Sequence, residues 1–521
     1  MKFVSTLAMA LVLAALTTAQ GTWTNVANWP THTIEAYAIH TCHLRPTNPA
    51  MGNKGRFLFW GLTEGEGNEP WIWDPYANGG AGTFVQTALA GELDYRMMAC
   101  GQTLMKDGKV IVVGSDFGAQ GQPNNRVSIF NPDTDTWSTQ DGRWLTQNRF
   151  YPAITRMPYG EPLVAGGQRH NGTLPGTIWI RNNPYEYNPD ITNANANWIN
   201  PTTNDFKFVN FPQLYPLGAN EVFFAGAGLS VYADPPDPPP FPYQTFAFKM
   251  PGQTTTPLGG ETEIWFRSTS AMIRPGVILK CGGFNAPDRG TPDPPAEKRT
   301  EMIELTQVQD RAWEQKADMN HARLDFNLVL MADGNAFAVG GSETHGAPNT
   351  AVRTPEIYNY ATNTWTTVPD HSANFRASHS TSWLLPDGRI ALAGSNQNPN
   401  PSGEIYTPVY CTNGTRPNIL TAPDVILVGV TRAFAITVDD PAVNGAALIA
   451  LGSMTHSWDT NQRYIPLTVS GTGSTKWLYG LTTVAQTPLG WYMLFVTKPA
   501  AGGGVTVCNL AKYVHVDAFA R

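Results

Sequence analysis

The sequence predicts an all-β chain: a seven-bladed β-propeller followed by an immunoglobulin-like β-sandwich. Three observations carry this. A strand-and-glycine unit recurs seven times at a near-constant interval. That recurrence stops after Tyr410, although strand-like runs continue. Charged residues are only 14% of the 521, beside 49 glycines and 42 prolines, a balance that favours short strands and tight turns.

Each unit runs from a turn glycine through a short apolar strand to a closing glycine. The leading glycines are Gly55, Gly108, Gly160, Gly218, Gly276, Gly334 and Gly388, at intervals of 53, 52, 58, 58, 58 and 54 residues. Repeats of about 50 residues mark kelch-type propellers. Apolar runs such as Val110-Ile111-Val112-Val113 fit strands buried on both faces. The second half of the unit carries a turn and a packing aromatic: Trp73-Asp74-Pro75, Phe130-Asn131-Pro132 with Trp137, Tyr187-Asn188-Pro189 with Trp198, Tyr358-Asn359-Tyr360 with Trp365. Four strands per unit and seven units close a ring around a central channel. This assigns 20–410 to the propeller. Residues 411–521 hold strand-like runs such as Phe434–Val438 and Trp491–Val496 between Pro and Gly turns, and read as the sandwich. The proline-rich stretch Ala233–Pro240 reads as a stiff surface loop.

Residues 1–19 read as a secretory signal. Lys2 gives the positive start, Leu7–Leu16 is an apolar run too short to span a bilayer, and Thr17-Thr18-Ala19 offers small residues for cleavage. No later run is long and apolar enough to span, so a secreted, extracellular monomer is expected. Net charge is −7 with no basic run, which argues against nucleic acid and anionic membranes as partners. Asn171-Gly172-Thr173 and Asn413-Gly414-Thr415 are glycan acceptor sequons suited to an exported glycoprotein. The cysteines are Cys42, Cys100, Cys281, Cys411 and Cys508, an odd number. Cys411 and Cys508 are placed to staple the C-terminal region; Cys42 and Cys281 either pair or stay as buried thiols.

The chain holds no Gly-x-Ser-x-Gly nucleophile motif, no phosphate loop and no His-Glu-x-x-His, and its carboxylates are scattered. Its candidate chemistry lies in histidine and tyrosine. His379 stands in Ser378-His379-Ser380, ahead of Leu384–Gly388. His456 stands beyond the repeats in Thr455-His456-Ser457, and Tyr151 lies in Asn148–Pro152. Imidazole nitrogens with an oxygen donor suit copper. His345, after a blade strand, is a fallback ligand. His40 and Cys42 would share one strand face with His43 on the other, which favours packing roles. Asp325 reads as a turn cap.

With these fragments in order, the chain resembles the copper radical oxidases, the glyoxal oxidase and galactose oxidase group, over nearly all of its mature length. The resemblance is closest to glyoxal oxidases in Asn148–Pro152, Leu385–Arg389 and Thr455–Ser457. It implies one copper ion at the propeller axis, held by His379 and His456, with Tyr151 as the equatorial ligand that carries a radical. It implies a thioether joining that tyrosine to a cysteine, for which Cys100 is the candidate. The family's axial tyrosine, its general base, corresponds to Ser378, so the chain is a divergent member. Cys100 is also one residue out of register: counting back eight from Asp107, as the family does, reaches Ala99. A one-residue deletion in the turn or a bulge would restore Cys100 to the site. The family's stacked aromatic over the radical has no equivalent in Gln168-Arg169-His170.

Two functions follow. One is a copper oxidase that takes two electrons from a small aldehyde hydrate, alcohol or carbohydrate and reduces O2 to H2O2. The other is a degenerate copper-binding or glycan-binding propeller that keeps the scaffold without radical turnover.

Overall fold

The computed structural model describes residues 21–30, 37–47, 54–61, 70–87, 97–117, 122–139, 144–170, 179–181, 185–188, 198, 210–227, 245–249, 255–257, 265–285, 295–306, 311–395, 401–429, 433–481 and 483–518. The stretch read as a secretory signal, the first sequon and the proline-rich stretch lie outside them. Among the described residues no helix is long and apolar enough to cross a membrane.

The chain is all-β, with a propeller-like arrangement. Its inner strands are His40–Leu44, Gly101–Leu104, Phe150–Arg156, Pro212–Pro216, Thr269–Arg274, Asn327–Leu330 and Ser380–Leu384. Consecutive inner strands meet across side chains as well as backbone. The Tyr215 hydroxyl lies 2.9 Å from Ser270 Oγ, and Thr41 Oγ1 lies 3.0 Å from Thr381 Oγ1. The N-terminal strand Thr22–Asn25 pairs with Gly403–Thr407, so the two ends of the repeat array share one sheet.

The expectation of seven like blades is corrected. Among the described residues, six four-stranded sheets are blades of the expected kind; the first repeat lies in a six-stranded sheet. The cause is a hairpin from the C-terminal region. Its strand Ser453–Thr455 pairs with the inner edge of His40–Leu44 and then with Trp458–Asp459. An inner strand edge that would otherwise face the axis is thereby hydrogen-bonded.

Tryptophans from the outer strands fasten neighbouring sheets together. Trp137, Trp313 and Trp365 each donate from Nε1 to a threonine hydroxyl of the preceding sheet: Thr87 at 3.2 Å, Thr245 at 2.7 Å and Thr300 at 3.1 Å. The ring fills the gap between sheets while its one polar atom stays satisfied. The closing glycines have a different cause. Gly114 has φ +66, and a Cβ there would lie 2.6 Å from Arg149 O; one at Gly340 would collide with Arg376 O. The backbone segments leading to Tyr151 and His379 therefore pack directly on the preceding sheet.

The C-terminal region forms a nine-stranded sheet from Ile419 to Ala518. Tyr464–Ser470 pairs with Gly445–Ala450 through its first half and with Thr475–Tyr479 through its second. Leu448, Leu467, Leu478, Leu494 and Val514 share one core cluster. All five cysteines are free thiols. The staple expected between Cys411 and Cys508 is not formed, and Cys42 and Cys281 are separate buried thiols on different sheets. The Asn413 carboxamide is engaged at both ends, donating to Val505 O (2.9 Å) and accepting from Thr506 Oγ1 (3.0 Å).

Candidate metal centre

The backbone turns left-handed where the chain enters successive inner strands. Ala99, Tyr151, Phe211, Arg267, Asp325 and His379 have φ of 59, 58, 47, 54, 53 and 66. For side chains other than glycine this conformation is uncommon and costs roughly 1–2 kcal/mol per residue. It recurs because each blade reaches the axis by the same sharp entry. Such strain gathers where surrounding structure fixes a side chain for function. Here it places Tyr151 and His379 at equivalent points of different blades.

His456 arrives by another route. The hairpin pairs Thr455 with Trp458, leaving His456-Ser457 as a two-residue turn. Both residues have positive φ, 47 and 68, the combination of a type I′ hairpin turn. Buried Asp459 holds the hairpin, its Oδ1 accepting from the amides of Ser453, Asn461 and Gln462, each at 2.9 Å. Side chains bind the hairpin to the surrounding strands. Gln462 accepts from Leu330 N (3.0 Å) and donates to Leu328 O (2.7 Å), while Trp458 donates to the Tyr215 hydroxyl (3.0 Å).

The structure thus brings three of the sequence-assigned residues together. The His456 ring lies 4.8 Å from that of His379 and 5.3 Å from that of Tyr151, centroid to centroid. Phe211 stacks on His456 at 4.4 Å. Tyr151 is flanked by Phe150 at 4.2 Å and Phe211 at 5.3 Å. Both meet the Tyr151 ring edge-on, at 61° and 62°, so neither is the stacked aromatic that the resemblance implies. His456 is 2% exposed, while His379 and Ser378 are half-buried.

Cys100 is wholly buried, with Sγ 3.8 Å from His40 Nδ1. Ala99 before it is left-handed, and Ala99 O accepts from the Tyr151 amide at 2.9 Å. The strand that follows, Gly101–Leu104, pairs with Val110–Val113 residue for residue, without the register shift of a bulge. Burial pushes the Cys100 thiol well above its ordinary pKa. His345 is not at this cluster: its Nδ1 lies 2.7 Å from Asp325 Oδ2, and Asp325 pairs with Arg267 at 3.0 Å. Asp325 is therefore an ion-pair partner, not a turn cap. Although burial acts the other way, Arg267 and His345 hold its carboxyl below the usual range.

His40, read from sequence as strand packing, borders the cluster. Its ring stacks on Trp60 at 5.0 Å and meets His456 edge-on at 5.3 Å. The alternation of the strand carried no hint of this, because the neighbour is a hairpin more than 400 residues away.

The protonation states suit a metal. The Thr455 hydroxyl donates to Ile39 O (3.1 Å) and so accepts from His456 Nδ1 (2.6 Å). That leaves His456 Nε2 as a bare lone pair, buried and without a hydrogen-bond partner. Burial, then the neighbouring His379 and His40, lowers the His456 pKa well below its usual value. A buried neutral imidazole with an orphaned nitrogen fits a copper ligand. Among the described residues, no three His, Cys, Asp or Glu side chains already converge as a metal cluster; the implied set has two histidines, with Tyr151 as third donor.

The same burial sets an acid limit on stability. Burial lowers His40 and His43 from 6.5 to about 3, and His371 to about 4. Between those values and 6.5 the unfolded chain binds protons that the folded chain does not. Stability is therefore fully present above pH 6.5 and falls as the pH drops towards 3, by about 1.4 kcal/mol per pH unit for each such histidine. Urea midpoints of the metal-free protein are expected to decline from pH 7 to pH 5; a flat profile would contradict these burials.

The comparisons with known proteins agree with this architecture. Residues 416–515 match the family "Galactose oxidase-like, Early set domain", and 329–372 match the Kelch motif. A galactose oxidase of Gibberella zeae is 25% identical over 94% of this chain and 74% of its own length. An aldehyde oxidase GLOX of Vitis pseudoreticulata is 28% identical over 43% of this chain and 48% of its own. Among solved structures, one titled a novel fungal alcohol oxidase of the AA5 family in complex with copper superposes with a TM-score of 0.73. It covers 95% of this chain and 99% of that one at 20% identity, a likeness of fold. In sequence the chain is thus similar to a galactose oxidase and an aldehyde oxidase GLOX, and in fold to a copper-bound alcohol oxidase.

Proposed function

We propose that this chain is a secreted copper-dependent oxidase that converts aldehyde hydrates or primary alcohols with reduction of O2 to H2O2. The observation that carries it is the meeting of Tyr151, His379 and His456, brought from two blades and the C-terminal hairpin, with His456 Nε2 left bare. Copper held by these three would supply a one-electron couple and a point to polarise the substrate oxygen. With that couple bound and O2 as the oxidant, Tyr151 would be oxidised by one electron and would accept a hydrogen atom from the substrate carbon. The substrate loses two electrons and two protons in all, and O2 takes up both as H2O2. Phe150 and Phe211 cover part of the half-buried Tyr151 ring, and Thr455 holds His456 in the ligating tautomer. Cys100 is the candidate for a thioether to Tyr151, formed with loss of one hydrogen from each side chain to O2.

Ser378 sets the substrate preference. A serine hydroxyl ionises far less readily than a phenol of pKa ~10, so it is a poor general base. Aldehyde hydrates are more acidic than simple alcohols and suffer less from its weakness. Copper-loaded protein assayed for peroxide is expected to favour aldehydes, and Ser378→Tyr to raise alcohol turnover. Alcohol turnover as fast in the wild type as in Ser378→Tyr would mean that another group supplies the base. No peroxide from any aldehyde or alcohol would favour the non-catalytic scaffold.

A further inference from the structure

We infer that His40 supplies a further nitrogen donor to the metal held by His379 and His456. The inference rests on the copper reading and adds a ligand to it. Three buried imidazole nitrogens among the described residues lack a hydrogen-bond partner: His40 Nε2, His371 Nε2 and His456 Nε2. His371 sits elsewhere, edge-on to Trp23. The other two are on neighbouring rings, 5.3 Å apart by centroid.

The tautomer of His40 is fixed by a chain of donors and acceptors. The Gln102 carboxamide donates from Nε2 to Met454 O at 3.0 Å, which turns its Oε1 towards His40. Oε1 lies 2.8 Å from His40 Nδ1 and, being an acceptor only, requires the proton on Nδ1. Nε2 is then a lone pair. Trp60 covers one ring face at an interplanar angle of 5°, so the ring is held in plane as well as in tautomer. A ligating histidine is commonly oriented by a hydrogen bond on its other nitrogen. His40 and His456 both have that arrangement, from Gln102 and Thr455. Orphaning a fully buried nitrogen costs free energy that a metal bond would recover.

Chain position supports the assignment. His40 opens the inner strand whose edge carries the hairpin, with His40 opposite Thr455 in the register. The strand pairing that brings His456 to the axis thus brings His40 beside it. Among the described residues the three imidazoles do not stand as a ready-made cluster, so the number of nitrogens on the bound metal is the deciding measurement. A third nitrogen also offsets the donor lost where the family's axial tyrosine is Ser378.

Pulsed electron paramagnetic resonance of the cupric protein counts coordinated imidazoles. Three are expected in the wild type and two in His40→Phe, which keeps a ring against Trp60. The copper dissociation constant should rise at least ~10-fold in the variant. Two imidazoles in the wild type would overturn the inference and leave the copper reading standing. A wild type that binds no copper would overturn both. The wild-type count decides the matter even if the variant does not fold.

Discussion

Replacing His456 with alanine is expected to remove most of the bound copper and, with it, peroxide production. The His456 ring meets those of Tyr151, Phe211, His379 and His40 at 4.4–5.3 Å. Its Nδ1 is committed to Thr455, so its Nε2 has no role inside the protein fold. Incomplete nitrogen donor sets hold copper poorly. The hairpin itself should survive, because Asp459, Gln462 and Trp458 anchor it independently of the histidine. Metal analysis after dialysis against a chelator, with circular dichroism as a check on folding, measures this. Copper content equal to that of the wild type would mean that the ion sits elsewhere.

Replacing Arg376 with alanine is expected to cost ~3–5 kcal/mol of stability, the range for breaking a buried ion pair from one side. Arg376 is 1% exposed and spends its guanidinium on Gly394 O (2.8 Å), Ser402 Oγ (2.8 Å) and Glu404 Oε1 (3.0 Å). Its loss strands Glu404, itself 2% exposed, on the Ser372 amide and hydroxyl alone. It also frees the segment that leads into left-handed His379, so copper affinity should fall with stability. The double variant Arg376→Met, Glu404→Leu should recover part of the loss, since no buried charge is left unpaired. Urea unfolding of the single variant would refute the argument if it lost under ~1 kcal/mol. The same device recurs one blade earlier in Arg323, which bonds Gly340 O (3.0 Å) and Glu356 (2.8 Å).

Much of this was legible in the sequence because blades repeat. The leading glycines gave the period, and the period also marks the site. Ala99, Tyr151, Arg267, Asp325 and His379 each lie nine residues before a leading glycine, and all five are left-handed. That phase puts Ala99, not Cys100, at the point equivalent to Tyr151. Phe211 lies seven residues before Gly218 and breaks the phase, so its contact with His456 was hidden. His40 and Trp60 were hidden for a different reason. Their roles depend on a backbone pairing between residues 40–42 and 453–455, and a contact so distant in sequence leaves no local pattern. The six-stranded sheet was missed on the same account.

The central claim is oxidation through Tyr151 at a copper site, and Tyr151→Phe tests it most directly. The variant keeps the ring that packs between Phe150 and Phe211 and removes only the hydroxyl. With both proteins loaded with copper and supplied with an aldehyde under air, the account predicts peroxide from the wild type and none above background from Tyr151→Phe. Equal peroxide from the two would contradict it.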